Sequence, residues 1–240
     1  MLENKKVIIF DLDGTLIDSI GIWNEIDKKL IEKIGGKEDN EVFIAEQRDI
    51  ALKKFNKAED AYLEYCGYLK EQYKSKFSKE EIKKSRYEIA QKYLTTVIDY
   101  KPGAEKVLKY LKEKGFILAL ATTTNEHTVD IYRTQNKNLM GKAKFDDIFT
   151  IMYAKNSVKE LKPNPEIHYK ILDTLNVKPE ECLIFEDTIM GVEAAISAGI
   201  EVVSIYDKYS DCYREEINQK SNYQFNNFEE ILKKFQEELD

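Results

Sequence analysis

Continuous apolar runs are the feature that most restricts how this chain can fold. Four of them, Val7–Phe10, 116–121, 182–185 and Glu201–Ile205, lack the regular polar alternation of a half-exposed strand. Continuous apolar strands are typical of a parallel sheet whose two faces are both covered by helices. A weaker run at 148–153 is a fifth candidate strand.

Segments with helical periodicity separate these runs. In residues 103–115, apolar side chains recur on one face, and Gly115 provides a helix stop. Residues 165–177 carry a similar apolar face, and residues 188–200 also close with a glycine near their end. This alternation predicts an α/β fold with a doubly wound, Rossmann-like parallel sheet as its core.

A long segment after the first strand departs from this alternation, because it contains no convincing strand. Its pattern predicts four helices, at about 20–34, 40–56, 58–75 and 79–98. We therefore expect a core domain at 1–17 and 99–240 and an inserted four-helix cap domain at 18–98. Such an insertion suggests a lid over a site, with hinges near 16–19 and 99–102.

Composition excludes several classes of protein. The net charge of −7 argues against nucleic-acid binding, and no apolar run approaches the roughly 20 residues needed to span a bilayer. Cys66, Cys182 and Cys212 are far apart and form no C-x-x-C pair, so neither a disulfide framework nor a zinc site is indicated. We expect a cytoplasmic protein, a monomer or weak dimer, without nucleic-acid or membrane partners.

Polar residues follow the candidate strands, where ligands bind in an open α/β sheet. Taken alone, each has an ordinary explanation, such as an acidic turn, a helix N-terminal acid pair or a solvated lysine. Their shared position at strand ends predicts instead that they meet in one crevice. The groups are Asp11 and Asp13, Thr122 to Asn125, Lys162, and Glu186 with Asp187.

Carboxylates packed together either raise one another's pKa or require a cation. Mg²⁺ suits this set, because it prefers oxygen ligands and is often shared with a substrate phosphate. One carboxylate could then attack phosphorus while a second carboxyl moves protons. Asp11 and Asp13 suit this division, because side chains two positions apart on an extended chain point to the same side.

Four motifs together resemble the haloacid dehalogenase-like hydrolases. They are "FDLDGT", "LATTTN", "KPNPE" and "IFEDTIMGVEAAISAG". The resemblance is closest to the branch with a helical cap inserted after the first motif, which includes phosphoglycolate phosphatases and β-phosphoglucomutases. It covers about residues 5–235, although the cap matches by position and helicity rather than by motif.

The resemblance implies roles for individual residues. Asp11 would be the nucleophile and Asp13 the general acid/base. The implied catalytic set is Asp11, Asp13, Thr122 and Lys162. The implied substrate- and phosphate-binding set is Thr122, Thr123, Asn125 and Lys162. The implied Mg²⁺ ligands are Asp11, Asp13 through its carbonyl, Asp187, and Glu186 directly or through water.

One motif departs from the family pattern. The stretch "MYAKNSVKELKPNPE" lacks the acidic, glycine-rich character expected before the lysine, so Lys155 and Lys159 rival Lys162. The "KPNPE" context favours Lys162. Thr15 occupies a position where many phosphatases of the family have threonine, which favours hydrolysis.

The resemblance therefore implies an Mg²⁺-dependent phosphatase acting on a small phosphorylated metabolite through an aspartyl phosphate. A phosphohexomutase of the β-phosphoglucomutase type and a non-catalytic metabolite-binding relative stay open as alternatives. Candidate substrate contacts in the cap are Trp23, Arg48, Lys53 and Lys54, although a solvated helix face is the favoured explanation of the three cations.

Overall fold

The chain forms two compact units. The computed structural model describes residues 1–38, 40–55 and 58–240, apart from the side chains of Asp49 and Lys53. The larger unit comprises residues 1–20 and 98–240, and the smaller unit comprises residues 21–97. Within the described ranges, no helix is long and apolar enough to cross a membrane.

A parallel sheet forms the centre of the larger unit. Its described residues form six strands in the order β3-β2-β1-β4-β5-β6. The central strand β1 pairs with β2 on one side and with β4 on the other, so that Val7 lies opposite both Ile117 and Cys182. The strands are β1 Val7–Phe10, β2 Ile117–Ala121, β3 Ile151–Tyr153, β4 Cys182–Glu186, β5 Glu201–Ile205 and β6 Tyr223–Phe225.

Helices cover this sheet, which confirms the predicted α/β class. Val7 and Ile9 pack into one apolar cluster with Ile167 and Val192 from two of the helices. Phe10 instead stacks on Phe185 at a centroid distance of 4.8 Å. The helices of this unit are α5 Ala104–Glu113, α6 Glu126–Thr134, α7 Lys137–Lys142, α8 Phe145–Ile148, α9 Glu166–Leu175, α10 Ile189–Ser197, α11 Arg214–Lys220 and α12 Phe228–Leu239.

Two strands differ from the prediction. The weak run at 148–153 is a strand only over Ile151–Tyr153, because Phe145–Ile148 forms a short helix that buries Phe145 and Ile148. The strand Tyr223–Phe225 was not predicted. A strand of three residues is too short for its periodicity to be read from the sequence.

Four helices make up the described part of the smaller unit. Their apolar side chains, including Leu30, Ile44 and Leu69, form a cluster within the unit. Ser78 caps the last helix, because its side chain accepts a hydrogen bond from the Glu81 amide and its own amide donates to the Glu81 carboxylate. The helices are α1 Ile22–Lys33, α2 Glu41–Lys54, α3 Ala61–Gln72 and α4 Lys79–Thr96.

The segments predicted as hinges are hydrogen-bonded to each other within the larger unit. The Lys101 amide donates to the Leu16 carbonyl at 2.8 Å, and the Asp18 amide donates to the Asp99 carbonyl at 3.1 Å. The Tyr100 hydroxyl also donates to the Ala143 carbonyl at 2.6 Å. The hinges near 16–19 and 99–102 stay a prediction.

Candidate active site

Three carboxylates meet where β1 and β4 end. Asp11 directly follows β1 and Glu186 closes β4, and these strands are neighbours with Phe10 opposite Phe185. Asp11, Glu186 and Asp187 each place a carboxylate oxygen within 4.8 Å of the others. All three are buried, with Asp11 8%, Glu186 1% and Asp187 0% exposed. The adjacency of two parallel strands thus brings together acids that are far apart in sequence.

Lys162 is the cation that the fold brings to these acids. Its ammonium donates to Asp11 Oδ1 at 2.7 Å, to the Ala121 carbonyl at 2.8 Å and to Glu186 Oε1. Burial alone would lower the pKa of Lys162, but the charges of Asp11 and Glu186 raise it above its ordinary value. The rival lysines, Lys155 and Lys159, are exposed.

Asp187 is held on one side and lacks a partner on the other. Its Oδ1 accepts a hydrogen bond from the Thr15 hydroxyl at 2.7 Å. Its Oδ2 is buried and finds no hydrogen-bond partner among the described residues. Gly14 makes this packing possible, because it has φ +84° and a Cβ there would lie 2.4 Å from Asp187 Oδ2.

Glu186 is packed just as tightly. A Cβ on Gly191 would lie 2.0 Å from the Glu186 carboxyl group, so only glycine leaves room for this side chain. Burial raises the pKa of Glu186 to about 7, although the charge of Lys162 opposes the shift. Burial, and then the charges of Asp11 and Glu186, raise the pKa of Asp187 well above its ordinary value.

This donor set fits a hard divalent cation. Three buried carboxylates face one ammonium, which leaves an excess of negative charge when all are ionised. The buried, unpartnered oxygen of Asp187 is a ready ligand atom. Oxygen ligands of this kind, with room left for water or a phosphate, are those that Mg²⁺ prefers.

Asp13 lies apart from this group of three carboxylates. Its Oδ1 accepts a hydrogen bond from the Ser19 hydroxyl at 2.5 Å, and its Oδ2 accepts one from the Thr124 hydroxyl. Burial raises the pKa of Asp13 above its ordinary value, and the two hydroxyl bonds counteract part of that rise. The metal contact implied for the Asp13 carbonyl stays a prediction.

The side chains of the segment after β2 have different surroundings. Thr122 is buried, and its hydroxyl oxygen accepts a hydrogen bond from the Thr124 amide at 3.1 Å. Thr123 is exposed. The Asn125 carboxamide oxygen instead accepts from the Thr128 amide at 2.9 Å and caps α6. The role implied for Asn125 in phosphate binding stays a prediction, because the cap uses the carboxamide oxygen whereas a phosphate would bind a donor.

The sequence interpretation missed the hydroxyl partners of Asp13 and Asp187. Thr15 and Thr124 both lie inside the recognised motifs, yet neither was assigned a contact there. Ser19 lies just beyond the first motif. Thr15 and Thr124 lie 172 and 111 positions from the acids that they contact, so no local pattern indicates these bonds. A hydroxyl six residues from an acid, as in Ser19, is too common to identify a bond.

Two of the candidate substrate contacts in the helical unit are engaged within that unit. Arg48 forms an ion pair of 2.9 Å with the buried Asp27. Trp23 places its ring 5.5 Å from the Arg86 guanidinium. The ammonium of Lys54 lies 5.4 Å from the Phe55 ring, and the Lys53 side chain lies outside the described residues. The substrate contacts suggested for these cap residues stay predictions.

Comparison with known proteins assigns the chain to a family. The model of the haloacid dehalogenase-like hydrolase family matches residues 5–199. A phosphorylated carbohydrates phosphatase of Thermotoga maritima is 31% identical over 196 residues, covering 82% of each chain. A solved Thermotoga maritima protein provisionally named a β-phosphoglucomutase is 27% identical, covers 95% of this chain and 99% of its own, and has a TM-score of 0.74.

The fold is also similar to that of CbbY from Rhodobacter sphaeroides, solved in complex with phosphate. That structure has a TM-score of 0.64 at 23% identity and covers 93% of this chain and 95% of its own. These matches confirm the predicted family and fold class. The chain belongs to the haloacid dehalogenase-like hydrolases.

Proposed function

We propose that the protein is an Mg²⁺-dependent phosphatase of a small phosphorylated metabolite, with phosphorylated carbohydrates as the first class to test. The observation that carries this proposal is the buried group of Asp11, Glu186 and Asp187, with Lys162 bound to its first member. The enzyme class, a phosphoric monoester hydrolase, agrees with the family and with the phosphatase names among the relatives.

The first half of the reaction transfers the phosphoryl group to Asp11. A carboxylate oxygen of Asp11 forms a bond to phosphorus while the bond from phosphorus to the ester oxygen breaks. The ester oxygen keeps that electron pair and takes the proton carried by Asp13. The raised pKa of Asp13 favours the protonated form that this step requires.

The second half of the reaction releases phosphate. Asp13, now ionised, accepts a proton from a water molecule whose oxygen attacks phosphorus. The bond from phosphorus to the Asp11 oxygen breaks, and Asp11 regains its carboxylate. The same carboxyl group thus acts first as an acid and then as a base.

The remaining residues orient and neutralise the reacting groups. Lys162 binds one oxygen of Asp11 and offers a positive charge beside the transferred group. The Thr122 oxygen already accepts the Thr124 amide, so the Thr122 proton is available for a phosphoryl oxygen. The backbone amide of Thr123 would be a second donor to the phosphoryl group, as the family resemblance implies.

Mg²⁺ would be held by Asp11, Asp187 and Glu186, with the Asp13 carbonyl as a further ligand. When bound, it supplies positive charge that balances the phosphoryl oxygens and the clustered carboxylates. We also propose that residues 18–98 act as the cap that determines substrate choice. A cytoplasmic location, a monomeric or weakly dimeric state and the lack of nucleic-acid partners stay predictions.

A phosphohexomutase is the second candidate, because the chain is similar to the Thermotoga maritima structure that carries a β-phosphoglucomutase name. Such an enzyme returns the phosphoryl group of Asp11 to a sugar hydroxyl instead of to water. A non-catalytic binding protein is the third alternative, and the joint presence of Asp11, Asp13, Lys162 and Asp187 weighs against it.

The deciding experiment measures two products from one set of incubations. The full chain with Mg²⁺ is given p-nitrophenyl phosphate, a panel of sugar phosphates, and β-glucose 1-phosphate with a bisphosphate primer. Release of inorganic phosphate supports the phosphatase, and formation of glucose 6-phosphate supports the mutase. The enzyme proposal fails if no substrate shows Mg²⁺-dependent turnover that is lost in Asp11→Asn.

A further inference from the structure

Thr124 makes hydrogen bonds that connect two groups of the reaction. Its hydroxyl donates to Asp13 Oδ2. Its amide donates to the Thr122 hydroxyl oxygen at 3.1 Å. Its carbonyl accepts from the Lys155 amide at 2.9 Å, which holds its backbone against the turn after β3. One half-buried residue thus contacts both the general acid/base and the phosphoryl-binding hydroxyl.

These contacts join two parts of the sheet that are distant in sequence. Asp13 follows β1, whereas Thr122 and Thr124 follow β2. The β1–β2 pairing places the ends of both strands side by side, with Phe10 opposite Leu120. The hydrogen bond from the Thr124 hydroxyl bridges the remaining distance, so the Asp13 carboxyl is held in place by a residue that follows β2.

The hydrogen bond to Asp13 is compatible with proton transfer. Each oxygen of a carboxyl group has two lone pairs, and Thr124 occupies only one of those on Oδ2. A second acceptor position therefore remains for the proton that Asp13 carries. The hydroxyl restricts rotation of the carboxyl group without removing its capacity as an acid or base.

The amide of Thr124 acts similarly on Thr122. A threonine hydroxyl has one proton and two lone pairs, and its proton rotates to suit its surroundings. Because the Thr124 amide occupies one lone pair, the Thr122 proton is directed away from that side. The acid and the phosphoryl donor are thereby oriented by the same residue.

We propose that Thr124 is a positioning residue that aligns Asp13 with the phosphoryl group bound at Thr122. This inference rests on the proposed phosphatase chemistry and adds a residue to it. Ser19 holds the other oxygen of Asp13, but it has no contact with Thr122 among those described. Removing the Thr124 hydroxyl therefore leaves Asp13 held on one side and loosens its alignment.

The test compares Thr124→Val with Thr124→Ser. Valine keeps the shape and the backbone amide but loses the hydroxyl, whereas serine keeps both donors. Thr134→Val is the matched control, because the exposed Thr134 hydroxyl donates only to its own helix, at the Asp130 carbonyl. Each variant is assayed with p-nitrophenyl phosphate and with the alkyl phosphate that the wild-type enzyme hydrolyses fastest.

The two substrates differ in their need for an acid. A p-nitrophenolate group departs without a proton, whereas an alkoxide requires one in the transition state. For each substrate, kcat/KM reports on the steps up to and including departure of the leaving group, which precede the second half of the reaction. A residue that aligns Asp13 must therefore affect the alkyl substrate more than the aryl one.

We expect Thr124→Val to lower kcat/KM for the alkyl phosphate by about 10–100-fold, a fraction of the roughly 10²–10⁴-fold contributed by a general acid. The loss with p-nitrophenyl phosphate should be several-fold smaller, and Thr124→Ser and Thr134→Val should resemble the wild type. In an Asp13→Asn background, Thr124→Val should add little further loss, because both changes act on the same group.

An equal loss with both substrates, or full additivity with Asp13→Asn, would overturn the inference, since either indicates a structural role only. Unchanged activity of Thr124→Val would overturn it as well. These outcomes all presuppose an active wild-type enzyme. A wild type inactive on every phosphate ester would instead count against the proposed function.

Discussion

Each of the two units of this protein contains a cluster of charged side chains, and the two clusters differ in how their charges are balanced. In the larger unit, Asp11, Glu186 and Asp187 surround the single ammonium of Lys162. We call this the acidic cluster. Like charges predominate there, and Asp187 Oδ2 is left without a partner among the described residues.

The second cluster lies in the helical unit and consists of Asp27, Arg48 and Arg86. Arg86 Nε lies 2.7 Å from Asp27 Oδ1, and Arg48 Nη1 lies 2.9 Å from Oδ2 of the same carboxylate. Two side chains with aromatic rings, Trp23 and Tyr62, also lie 5.5 Å and 4.8 Å from the Arg86 guanidinium. We call this the arginine cluster.

The difference lies in what each cluster still requires. In the arginine cluster, one carboxylate binds two guanidinium groups, and ring faces lie against the Arg86 charge within the unit, although Arg86 Nη2 finds no hydrogen-bond partner in the described part of the chain. The acidic cluster keeps like charges together and needs a ligand to relieve them. The first arrangement is expected to stabilise the fold, and the second is expected to sacrifice stability for chemistry.

The largest expected effect is the loss of turnover in Asp11→Asn. Without the carboxylate nucleophile, we expect kcat to fall by about a thousandfold or more. The melting temperature should change little, because relief of the repulsion among three carboxylates offsets the loss of the Asp11–Lys162 ion pair, and Lys162 keeps Glu186 as a partner. Phosphate release and thermal unfolding, measured on the same preparation, test both statements. A large fall in melting temperature would show that the acidic cluster supports the fold.

Asp27→Asn should instead lower the free energy of unfolding. Removing one partner of a buried ion pair costs about 3–5 kcal/mol, because the remaining charge stays buried without that partner. Here the buried Arg86 would lose its carboxylate, and the half-buried Arg48 would lose the same ion pair. Urea unfolding followed by helical circular dichroism measures the change.

The control for Asp27→Asn is Asp146→Asn on the surface of the larger unit. Asp146 pairs with Arg133 at 2.6 Å, but both side chains are largely exposed. A much smaller change is expected there, because solvent screens exposed pairs. Equal effects of the two substitutions would contradict the stabilising role of the arginine cluster.

The sequence predicted the acidic cluster well, because its members stand where apolar runs end. Asp11 and Glu186 follow or close strands whose continuous apolar character is plain. Parallel pairing then forces the strand ends together, so topology alone brings the acids close. The bounds of β1 and β5 were predicted as observed for the same reason.

The arginine cluster could not be predicted in this way. Asp27 and Arg48 are 21 positions apart on different helices, and nothing in their local sequence indicates that they pair. Arg48 was therefore interpreted as a possible substrate contact. The cap that Asn125 forms on α6 was likewise not predicted, although asparagine is a preferred residue at that position.

The smallest expected effect is an unusual pH dependence of the metal-free protein. Burial raises the pKa of Glu186 from 4.5 to about 7 in the folded state. Between these values the folded protein holds a proton that the unfolded chain has released, so stability falls as the pH rises. Asp187, whose pKa is also raised, contributes in the same direction. The metal-free protein should be more stable at pH 5.5 than at pH 8, by at most about 2 kcal/mol for Glu186.

His168 must be separated from this effect. It is buried, and burial lowers its pKa well below 6.5, so acidification favours the unfolded chain, in which His168 takes up a proton. Comparing the wild type with Glu186→Gln in EDTA cancels this opposing contribution, because both proteins keep His168. The difference in unfolding free energy between them should change in favour of the wild type as the pH falls from 8 to 5.5. Parallel pH profiles would show that Glu186 is ionised throughout this range.

Excess Mg²⁺ should reduce the pH dependence of stability in the wild type, because a bound cation holds the carboxylates in their charged form. If this occurs, the repulsion that distinguishes the acidic cluster from the arginine cluster is relieved by the ligand it is proposed to bind.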